Sequence, residues 1–335
     1  MKRIGVVGVG GWGKNLARNY FQIPECELRY VCDLDESLLQ KTHGQWPTAQ
    51  ITTDFQTLLD DAQLDAVVIA TPAPTHYSLA AQALTAGKDV YVEKPFVLDV
   101  EDGKKLIKMA DEKSRILMVG HLLEYHPVVV ELKRLIDSGE LGRVLYIYTQ
   151  RVNLGTVRED ENALWNFAPH DISSILYLLG QEPTNVSARG QSYLKKDVED
   201  VVFLSMDFAG EAMAHVHVSW LDPHKIRKLT IVGDKKMAVF DDLEGNEKLK
   251  IYDKGASYTN DYDSFAEYVT LRFGDIKIPY VKVGEPLRIE CQHFLECIEK
   301  RTRPRSDGLD GQRVVQVLAA AQESLRSGGS PVDLG

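Results

Sequence analysis

A glycine-rich turn near the start of the chain has the residue types and spacing for holding a dinucleotide. The run Gly8-Val9-Gly10-Gly11-Trp12-Gly13 directly follows a short apolar segment and precedes a helical pattern. In a GxGxxG turn, the first glycine permits the tight turn, the second lets the backbone approach a pyrophosphate, and the third lets helix and strand pack closely. The N-terminus of the following helix would face the anion. We expect the cofactor to contact Gly8, Gly10, Gly11, Trp12 and Gly13.

Asp33 is a candidate for binding the adenosine ribose of the dinucleotide. Asp33 lies twenty residues after Gly13, at the end of the second predicted strand. At this spacing a carboxylate accepts hydrogen bonds from the adenosine ribose. No arginine follows in Leu34-Asp35-Glu36, and a carboxylate repels a 2′-phosphate. The sequence therefore predicts NAD as the cofactor and favours NADP less.

Lys94 is the first candidate for chemistry at this cofactor. Glu93-Lys94-Pro95 follows the predicted strand Asp89 to Val92, so Lys94 lies at the carboxyl end of a parallel strand, where such sheets bind ligands. The same position would also suit a lysine that lies in a loop, is exposed to solvent and has no role in the chemistry. A charged lysine there would stabilise a developing alkoxide, whereas a desolvated lysine with a lowered pKa would itself accept a proton.

The elements that must position these residues alternate along the first third of the chain. Short β-branched runs predict strands at Lys2 to Val7, Leu28 to Cys32, Ala66 to Ala70, Asp89 to Val92 and Ile116 to Val119. Segments with a period near 3.6 predict helices at Asn15 to Phe21, Glu36 to Thr42, His76 to Ala86 and Val100 to Lys113. Alternating strands and helices build a doubly wound parallel sheet. We predict an α/β protein whose residues 1–121 form a Rossmann domain.

A different pattern follows His121 and predicts a second domain over residues 122–335. Alternating runs separated by turn signals predict strands at Val144 to Val152, Thr184 to Gln191, Val201 to Phe208, Ala212 to Trp220, Lys228 to Val232 and Met237 to Phe240. They suggest a large, open, mostly antiparallel sheet in an α/β domain. We expect one face to be covered by helices at Asp171 to Leu179, Leu287 to Lys300 and Gln312 to Ser327. The open face predicts a homo-dimer or homo-tetramer.

Composition excludes several classes of function. The chain has 335 residues with 39 Lys and Arg against 49 Asp and Glu, a net charge of −10, which repels nucleic acid and anionic membrane surfaces. The segment from Ala66 to Gly87 has no charged residue, but Pro72, Pro74 and His76 within it predict a strand, turn and helix rather than a membrane span. Four cysteines show no zinc-binding spacing, so we expect reduced thiols and no metal. The absence of an export signal favours the cytoplasm.

Further motifs complete a recognisable set. Thr71-Pro72 is followed by His76, Glu93-Lys94-Pro95 follows the next strand, and Pro169-His170 opens a helix that ends in Leu178-Leu179-Gly180. Together with the glycine turn, this set resembles the Gfo/Idh/MocA oxidoreductases over essentially the whole chain. The resemblance implies a Rossmann domain, a C-terminal α/β domain with an open sheet, and oxidation or reduction of sugars and cyclitols with NAD(P).

The resemblance also implies roles for individual residues. Lys94 corresponds to the lysine of the family and His170 to its active-site histidine, while Thr71, Pro72, His76 and Glu93 would bind the cofactor with the glycine turn and Asp33. The unperturbed pKa of a histidine, about 6.5, suits a general base, although burial could give that role to Lys94 and leave His170 to orient the substrate. Asn166 occupies the place of a family aspartate, and it cannot accept a proton.

A narrower resemblance concerns the substrate. Asn153-Leu154-Gly155, Arg158, Asn162 and Trp165 to Ile172 are similar to the branch of the family that acts on nucleotide-linked amino sugars, of the UDP-N-acetylglucosamine type. It implies oxidation of the sugar 3-hydroxyl to a ketone, which a pyridoxal-phosphate aminotransferase would convert for lipid A or other surface glycans. The expected substrate ligands are His121, Arg151, Asn153, Arg158, Trp165, Asn166 and His170. A dehydrogenase of a free sugar or inositol, and a non-catalytic NAD-binding redox sensor, are the alternatives.

Overall fold

The computed structural model describes residues 1–155, 158, 161–258, 269–282 and 284–334. It divides into two compact units: Met1–Tyr125 with Gly284–Val315, and His126–Val283 with Gln316–Gly335. We expected one boundary, with residues 122–335 in a single domain. The first break lies four residues later than expected, and a late segment of the chain belongs to the first unit.

The first unit contains a parallel sheet of six strands among the described residues, in the order β3-β2-β1-β4-β5-β6. This is the doubly wound order of a Rossmann domain. The strands are β1 (Lys2–Val7), β2 (Cys26–Cys32), β3 (Gln50–Thr52), β4 (Ala66–Ile69), β5 (Asp89–Val92) and β6 (Leu117–Val119). The helices are α1 (Gly13–Gln22), α2 (Glu36–His43), α3 (Gln56–Asp60), α4 (His76–Thr85) and α5 (Val100–Glu112). The predicted Rossmann fold is confirmed, and the short elements β3 and α3 are additions.

The late helix α8 (Pro286–Lys300) belongs to the first unit, contrary to expectation. Its residues Leu287, Cys291 and Phe294 are buried in one hydrophobic core with Leu16 and Tyr20 of α1. Burying this apolar stripe against α1 removes it from water, which fixes the helix on the Rossmann sheet. The prediction that α8 covers the second sheet was wrong.

The second unit contains a sheet of nine strands among the described residues, in the order β14-β13-β12-β11-β7-β10-β9-β8-β15. All pairings are antiparallel except that of β7 with β10. The strands are β7 (Val144–Val152), β8 (Pro183–Gln191), β9 (Val201–Phe208), β10 (Met213–Ser219), β11 (Ile226–Gly233), β12 (Met237–Asp241), β13 (Leu249–Tyr258), β14 (Val269–Lys277) and β15 (Val332–Asp333). The predicted large, mostly antiparallel sheet is confirmed. Helices α6 (Pro127–Asp137) and α7 (Ala163–Leu179) belong to this unit, and α9 (Gly308–Arg326) begins in the first unit and ends in the second.

Helix α7 begins earlier than its proline suggested. The Asn162 side chain accepts a hydrogen bond from the backbone N–H of Trp165 at 3.1 Å and caps the helix, so Pro169 lies inside it rather than at its start. His170 therefore lies within the helix, whereas we expected it at the opening. The helix ends at Gly180, whose φ of 65° is favourable for glycine.

The two faces of the second sheet differ in exposure. Ile147 and Thr149 of β7 are fully buried, whereas Tyr146 and Tyr148 are 41% and 38% exposed on the opposite face. This alternation shows that one face packs on helices while the other is open in this chain. Among the described residues, no helix combines the length and apolarity needed to cross a bilayer.

Candidate active site

The glycine turn has the shape of a cradle for a pyrophosphate. Gly8 has a φ of +83°, and a Cβ there would lie 2.8 Å from the Ala70 carbonyl oxygen; a Cβ on Gly13 would overlap the Gly8 carbonyl oxygen. A Cβ on Gly10 or Gly11 would meet nothing within 4 Å, so the outer side of the loop is open. The N-terminus of α1 has no side-chain cap and no acidic residue in its first turn. These features fit a bound dinucleotide phosphate.

Asp33 is fixed at the carboxyl end of β2 beside the same turn. Its Oδ2 accepts a hydrogen bond from the backbone N–H of Val9 at 2.8 Å, and its Oδ1 accepts one from the N–H of Asp35 at 3.0 Å. Each carboxylate oxygen has a second lone pair for a ligand hydroxyl. The arrangement suits an adenosine ribose.

Glu93 connects the glycine turn to the segment that carries Lys94. Its buried Oε1 accepts hydrogen bonds from Trp12 Nε1 at 2.7 Å and from the Tyr91 hydroxyl at 3.2 Å, and its Oε2 accepts one from the Lys94 backbone N–H at 3.2 Å. Burial raises the pKa of Glu93, although the hydrogen bond from Trp12 opposes that rise. Trp12 and Glu93 therefore act as structural links around the expected cofactor site. No sequence pattern indicates the hydrogen bond between Trp12 and Glu93, because the two residues are 81 positions apart in the chain.

His76 holds the other side of the Lys94 segment. Its Nδ1 lies 2.8 Å from the Pro95 carbonyl oxygen and its Nε2 lies 2.8 Å from the Thr71 carbonyl oxygen, and the ring is 1% exposed. Burial lowers the pKa of His76, so the ring is neutral at pH 7 and donates to one of the two carbonyls at a time. His76 thus ties the Thr71-Pro72 turn after β4 to the residue after Lys94. Lys94 itself is partly buried just beyond β5, at the carboxyl edge of the sheet.

His121 lies in a buried cluster with two carboxylates. Its Nδ1 is 2.8 Å from Asp310 Oδ2 and 3.4 Å from Glu124 Oε1, and the histidine is 1% exposed. Burial alone would lower the pKa of His121, but the hydrogen bond to Asp310 and the nearby carboxyl group of Glu124 raise it to about 10. These three residues could surround a cation, since their ligand atoms lie within 4.8 Å of one another, yet a protonated histidine has no lone pair for a metal. The geometry favours a charge-paired structural cluster over the substrate contact that we expected of His121.

His170 and its neighbour Asp171 lie on α7 in the second unit. His170 is partly buried, and its carbonyl oxygen accepts a hydrogen bond from the Ser174 hydroxyl at 2.8 Å. Asp171 binds Arg151 through two hydrogen bonds, Nε to Oδ2 at 2.6 Å and Nη2 to Oδ1 at 3.2 Å. Arg151, which we expected to contact the substrate, therefore already binds a carboxylate.

Asn166, one turn before His170, is buried in a hydrogen-bond network. Its Nδ2 donates to Glu161 Oε1 at 2.5 Å, and its Oδ1 accepts from Trp220 Nε1 at 3.4 Å. Glu161 also lies 3.1 Å from Arg158 Nε. Glu161, a residue that the sequence did not single out, therefore places a carboxylate beside Asn166.

The remaining expected substrate ligands lie around the start of α7 and the end of β7. Trp165 Nε1 donates to Gln322 Oε1 at 3.2 Å, and Asn162 Nδ2 donates to the same oxygen at 2.9 Å. Asn153 follows β7 and is partly buried, while the side chain of Arg158 is 53% exposed. Residues 156, 157, 159 and 160, between Asn153 and the start of α7, lie outside the described residues.

Comparisons with known families match both units. Residues 2–121 match the oxidoreductase family with an NAD-binding Rossmann fold, GFO_IDH_MocA, and residues 129–239 match the GFO/IDH/MocA C-terminal domain.

Individual relatives match over nearly the full length. The UDP-N-acetylglucosamine 3-dehydrogenase of Acidithiobacillus ferrooxidans is 30% identical over 95% of each chain, and its solved structure covers 97% of this chain and 98% of its own with a TM-score of 0.81. The scyllo-inositol 2-dehydrogenase (NAD(+)) of Bacillus subtilis is 27% identical over 99% of this chain and 96% of its own. GenD2 from gentamicin A biosynthesis, solved in complex with NAD, shares the fold with a TM-score of 0.84 at 24% identity, over 100% of this chain and 96% of its own. The chain belongs to the Gfo/Idh/MocA family and is an NAD-dependent oxidoreductase.

Proposed function

We propose that this oxidoreductase acts on sugar or polyol hydroxyls and, specifically, oxidises the 3-hydroxyl of a nucleotide-linked amino sugar of the UDP-N-acetylglucosamine type. The observation that carries the proposal is the 30% identity to a UDP-N-acetylglucosamine 3-dehydrogenase over 95% of both chains. The segment from Asn153 to Ile172 supports it, because it resembles the branch of the family that acts on nucleotide-linked amino sugars.

A second candidate is a dehydrogenase of a free inositol or sugar. The match to the scyllo-inositol 2-dehydrogenase over 99% of this chain favours it. The two candidates differ in one chemical respect, since only the nucleotide sugar carries a diphosphate that needs cations.

Lys94 and His170 are the residues that we propose to act on the substrate hydroxyl. When bound, NAD supplies a hydride acceptor at the nicotinamide C4. The hydroxyl proton must leave as the hydride leaves the carbon, and either His170 Nε2 or a desolvated Lys94 Nζ would accept it. The other residue would orient the hydroxyl, and a charged Lys94 would in addition stabilise the developing alkoxide. Asn166 cannot accept a proton, but its side chain can orient a substrate hydroxyl by hydrogen bonding.

The proposed partners are an aminotransferase that uses the product and further copies of this chain. A 3-keto sugar is a substrate for a pyridoxal-phosphate aminotransferase, and the resulting 3-amino sugar would serve lipopolysaccharide or another surface glycan. The open face of the second sheet would join copies of this chain in a homo-dimer or homo-tetramer.

NADH formation tests the substrate assignment. The chain is mixed with NAD and UDP-N-acetylglucosamine, N-acetylglucosamine or scyllo-inositol, together with the cognate aminotransferase and glutamate to remove an unfavourable ketone, and absorbance at 340 nm is followed. We expect turnover with the UDP-linked sugar alone. Turnover with scyllo-inositol or N-acetylglucosamine and none with the UDP-linked sugar would replace the proposal by the second candidate.

Variants test the role of Lys94. We expect Lys94→Ala to lower kcat by about 100-fold or more, the range found for acid–base groups, while NAD still binds in calorimetry. The control is Lys108→Ala, whose side chain is 76% exposed on α5 and which should leave kcat unchanged. Equal activity of Lys94→Ala and wild type would remove Lys94 from the chemistry.

A further inference from the structure

Two arginines face each other directly across neighbouring strands of the second unit. Arg151 near the end of β7 and Arg227 near the start of β11 are partners in the antiparallel register. Opposite residues of an antiparallel pair project from the same face, and Arg151 reaches Asp171 of α7, so both arginines lie on the face that α7 covers. Like charges at directly opposite positions repel, and a sheet tolerates them when other charges compensate.

The positive charge of Arg151 is neutralised by a hydrogen-bonded carboxylate, whereas that of Arg227 is not. Arg151 forms the two-pronged hydrogen bond with Asp171 and its side chain is 12% exposed. Arg227 Nη1 lies 3.9 Å from Asp242 Oδ2, beyond hydrogen-bond distance, and its side chain is 44% exposed. Among the described residues, no side chain or carbonyl forms a hydrogen bond with the Arg227 guanidinium.

Asp242 is also shared with other cationic groups. Its Oδ1 lies 3.6 Å from Lys248 Nζ and 3.6 Å from His126 Nε2. Burial lowers the pKa of His126, which leaves that ring neutral at pH 7. Three permanent positive charges, on Arg151, Arg227 and Lys248, thus face the carboxylates of Asp171 and Asp242, and one positive charge is in excess.

The pKa of Arg227 agrees with an excess of positive charge around it. Burial and, after it, the charge of Arg151 lower the pKa of Arg227, although a guanidinium stays charged at any pH at which the protein folds. Several other arginines of the chain, such as Arg134 and Arg301, have a raised pKa because carboxylates bind them. Arg227 is a partly accessible guanidinium in a locally positive environment, which is the setting that binds an anion.

We propose that Arg227, with Arg151 beside it, is the phosphate-binding site of the second unit and receives the diphosphate of the substrate. This inference rests on the proposed nucleotide-sugar function. Asp171, which anchors Arg151, directly follows His170 on α7, so the anion site lies close in the chain to the proposed catalytic histidine. A guanidinium binds two phosphate oxygens at once, which a neutral hydroxyl of inositol cannot reproduce.

Kinetics of Arg227→Gln test the role of this residue on the nucleotide sugar. We expect its KM for UDP-N-acetylglucosamine to rise about 10- to 100-fold, the effect of losing a charge-assisted hydrogen-bond pair, with kcat changed less than threefold because the contact is the same in ground and transition states. Arg227→Lys should recover part of the loss. The control Arg143→Gln removes an exposed arginine just before β7 and should leave KM unchanged. An unchanged KM in Arg227→Gln would overturn the proposal while leaving the nucleotide-sugar function intact.

Binding of inorganic diphosphate tests the site without relying on turnover. The protein is first saturated with NAD, so that the glycine turn is occupied, and diphosphate binding is then measured by calorimetry. We expect binding to wild type and Arg143→Gln, and at least tenfold weaker binding to Arg227→Gln with an unchanged melting temperature. If this difference appears while UDP-N-acetylglucosamine is not oxidised, the anion site stands and the substrate is another phosphorylated compound. Equal diphosphate binding by Arg227→Gln and wild type overturns the site.

Discussion

Glu290 is a buried carboxyl group of the first unit whose charge is not compensated. It lies on α8 with 0% exposure, and both of its carboxylate oxygens are buried without a hydrogen-bond partner among the described residues. Burial, with repulsion by Glu93, raises the pKa of Glu290 well above its usual range. We therefore expect the folded protein to hold this residue as a neutral acid at pH 7.

Replacing Glu290 by glutamine should change how stability depends on pH. A folded pKa above the unfolded value of about 4.3 means that folding binds a proton, so the contribution of Glu290 to stability is complete below pH 4 and is lost as pH rises toward the folded pKa. Glu290→Gln abolishes this loss. We expect the free energy of unfolding of the variant to gain on wild type by up to about 1.4 kcal/mol for each pH unit above 5, measured by urea denaturation from pH 5 to 9.

An exposed glutamate on the same helix provides the control. Glu296, whose side chain is 60% exposed beside Lys300, should show no such divergence when changed to glutamine. Parallel pH curves for Glu290→Gln and wild type would show that Glu290 is ionised in the fold at neutral pH.

The sequence predicts residues whose role comes from local geometry and misses those whose partners are distant. Gly8 and Gly13 were expected to form a tight turn before a helix, and the structure shows that turn, in which neither position has room for a Cβ. Their contact with the cofactor stays a prediction. His121 was expected to touch substrate, yet Asp310, which holds it, is 189 positions away. A contact between residues so far apart leaves no local sequence pattern from which it could be predicted.

The same distinction holds for the secondary-structure elements. Strands β1 and β5 were predicted with the observed bounds, because buried parallel strands read as continuous apolar runs. Strands β13 and β14 were missed, because Asp253, Lys254 and Gly255 in one and Gly274 and Asp275 in the other interrupt the alternation. The amphipathic period of α8 showed that one face is buried, but it could not specify which sheet buries it.

Helix α7 is held on its sheet by the ion pair of Asp171 with Arg151, and removing one partner should be costly. The two side chains are 5% and 12% exposed, so Asp171→Asn leaves a guanidinium with little water and no carboxylate. We expect the free energy of unfolding to fall by about 3 kcal/mol, measured by urea denaturation at pH 7.

A double variant and an exposed pair separate the ion pair from general damage. Asp171→Leu with Arg151→Met removes both charges and should lose less stability than Asp171→Asn alone, because no uncompensated charge remains. Glu211→Gln, which breaks an exposed pair with Arg143, should change stability little. A stability loss as small for Asp171→Asn as for Glu211→Gln would mean that water solvates Arg151 in the folded protein.

For the whole molecule, the open face of the second sheet is the feature that a single chain leaves unexplained. Phe203 is 45% exposed there, and its ring stacks on His217 of the neighbouring strand with 4.4 Å between centroids. Burial lowers the pKa of His215 and His217, so both rings are neutral at pH 7 and the face around Phe203 carries no charge from them. Exposed aromatic rings on an open sheet face are typical of a subunit interface.

We therefore expect Phe203→Glu to dissociate the proposed homo-oligomer. The substituted carboxylate would lie between His217 on one neighbouring strand and Arg189 on the other. It would be desolvated in the assembled state but solvated in the monomer, so the monomer becomes favoured. Light scattering coupled to size-exclusion chromatography should give a multiple of the 37.6 kDa chain mass for wild type and a single chain mass for the variant. Tyr193→Glu, a substitution at a 70% exposed residue after β8, controls for added charge and should keep the wild-type mass. A wild-type mass of one chain, or an unchanged multiple in Phe203→Glu, would mean that this face is not the interface.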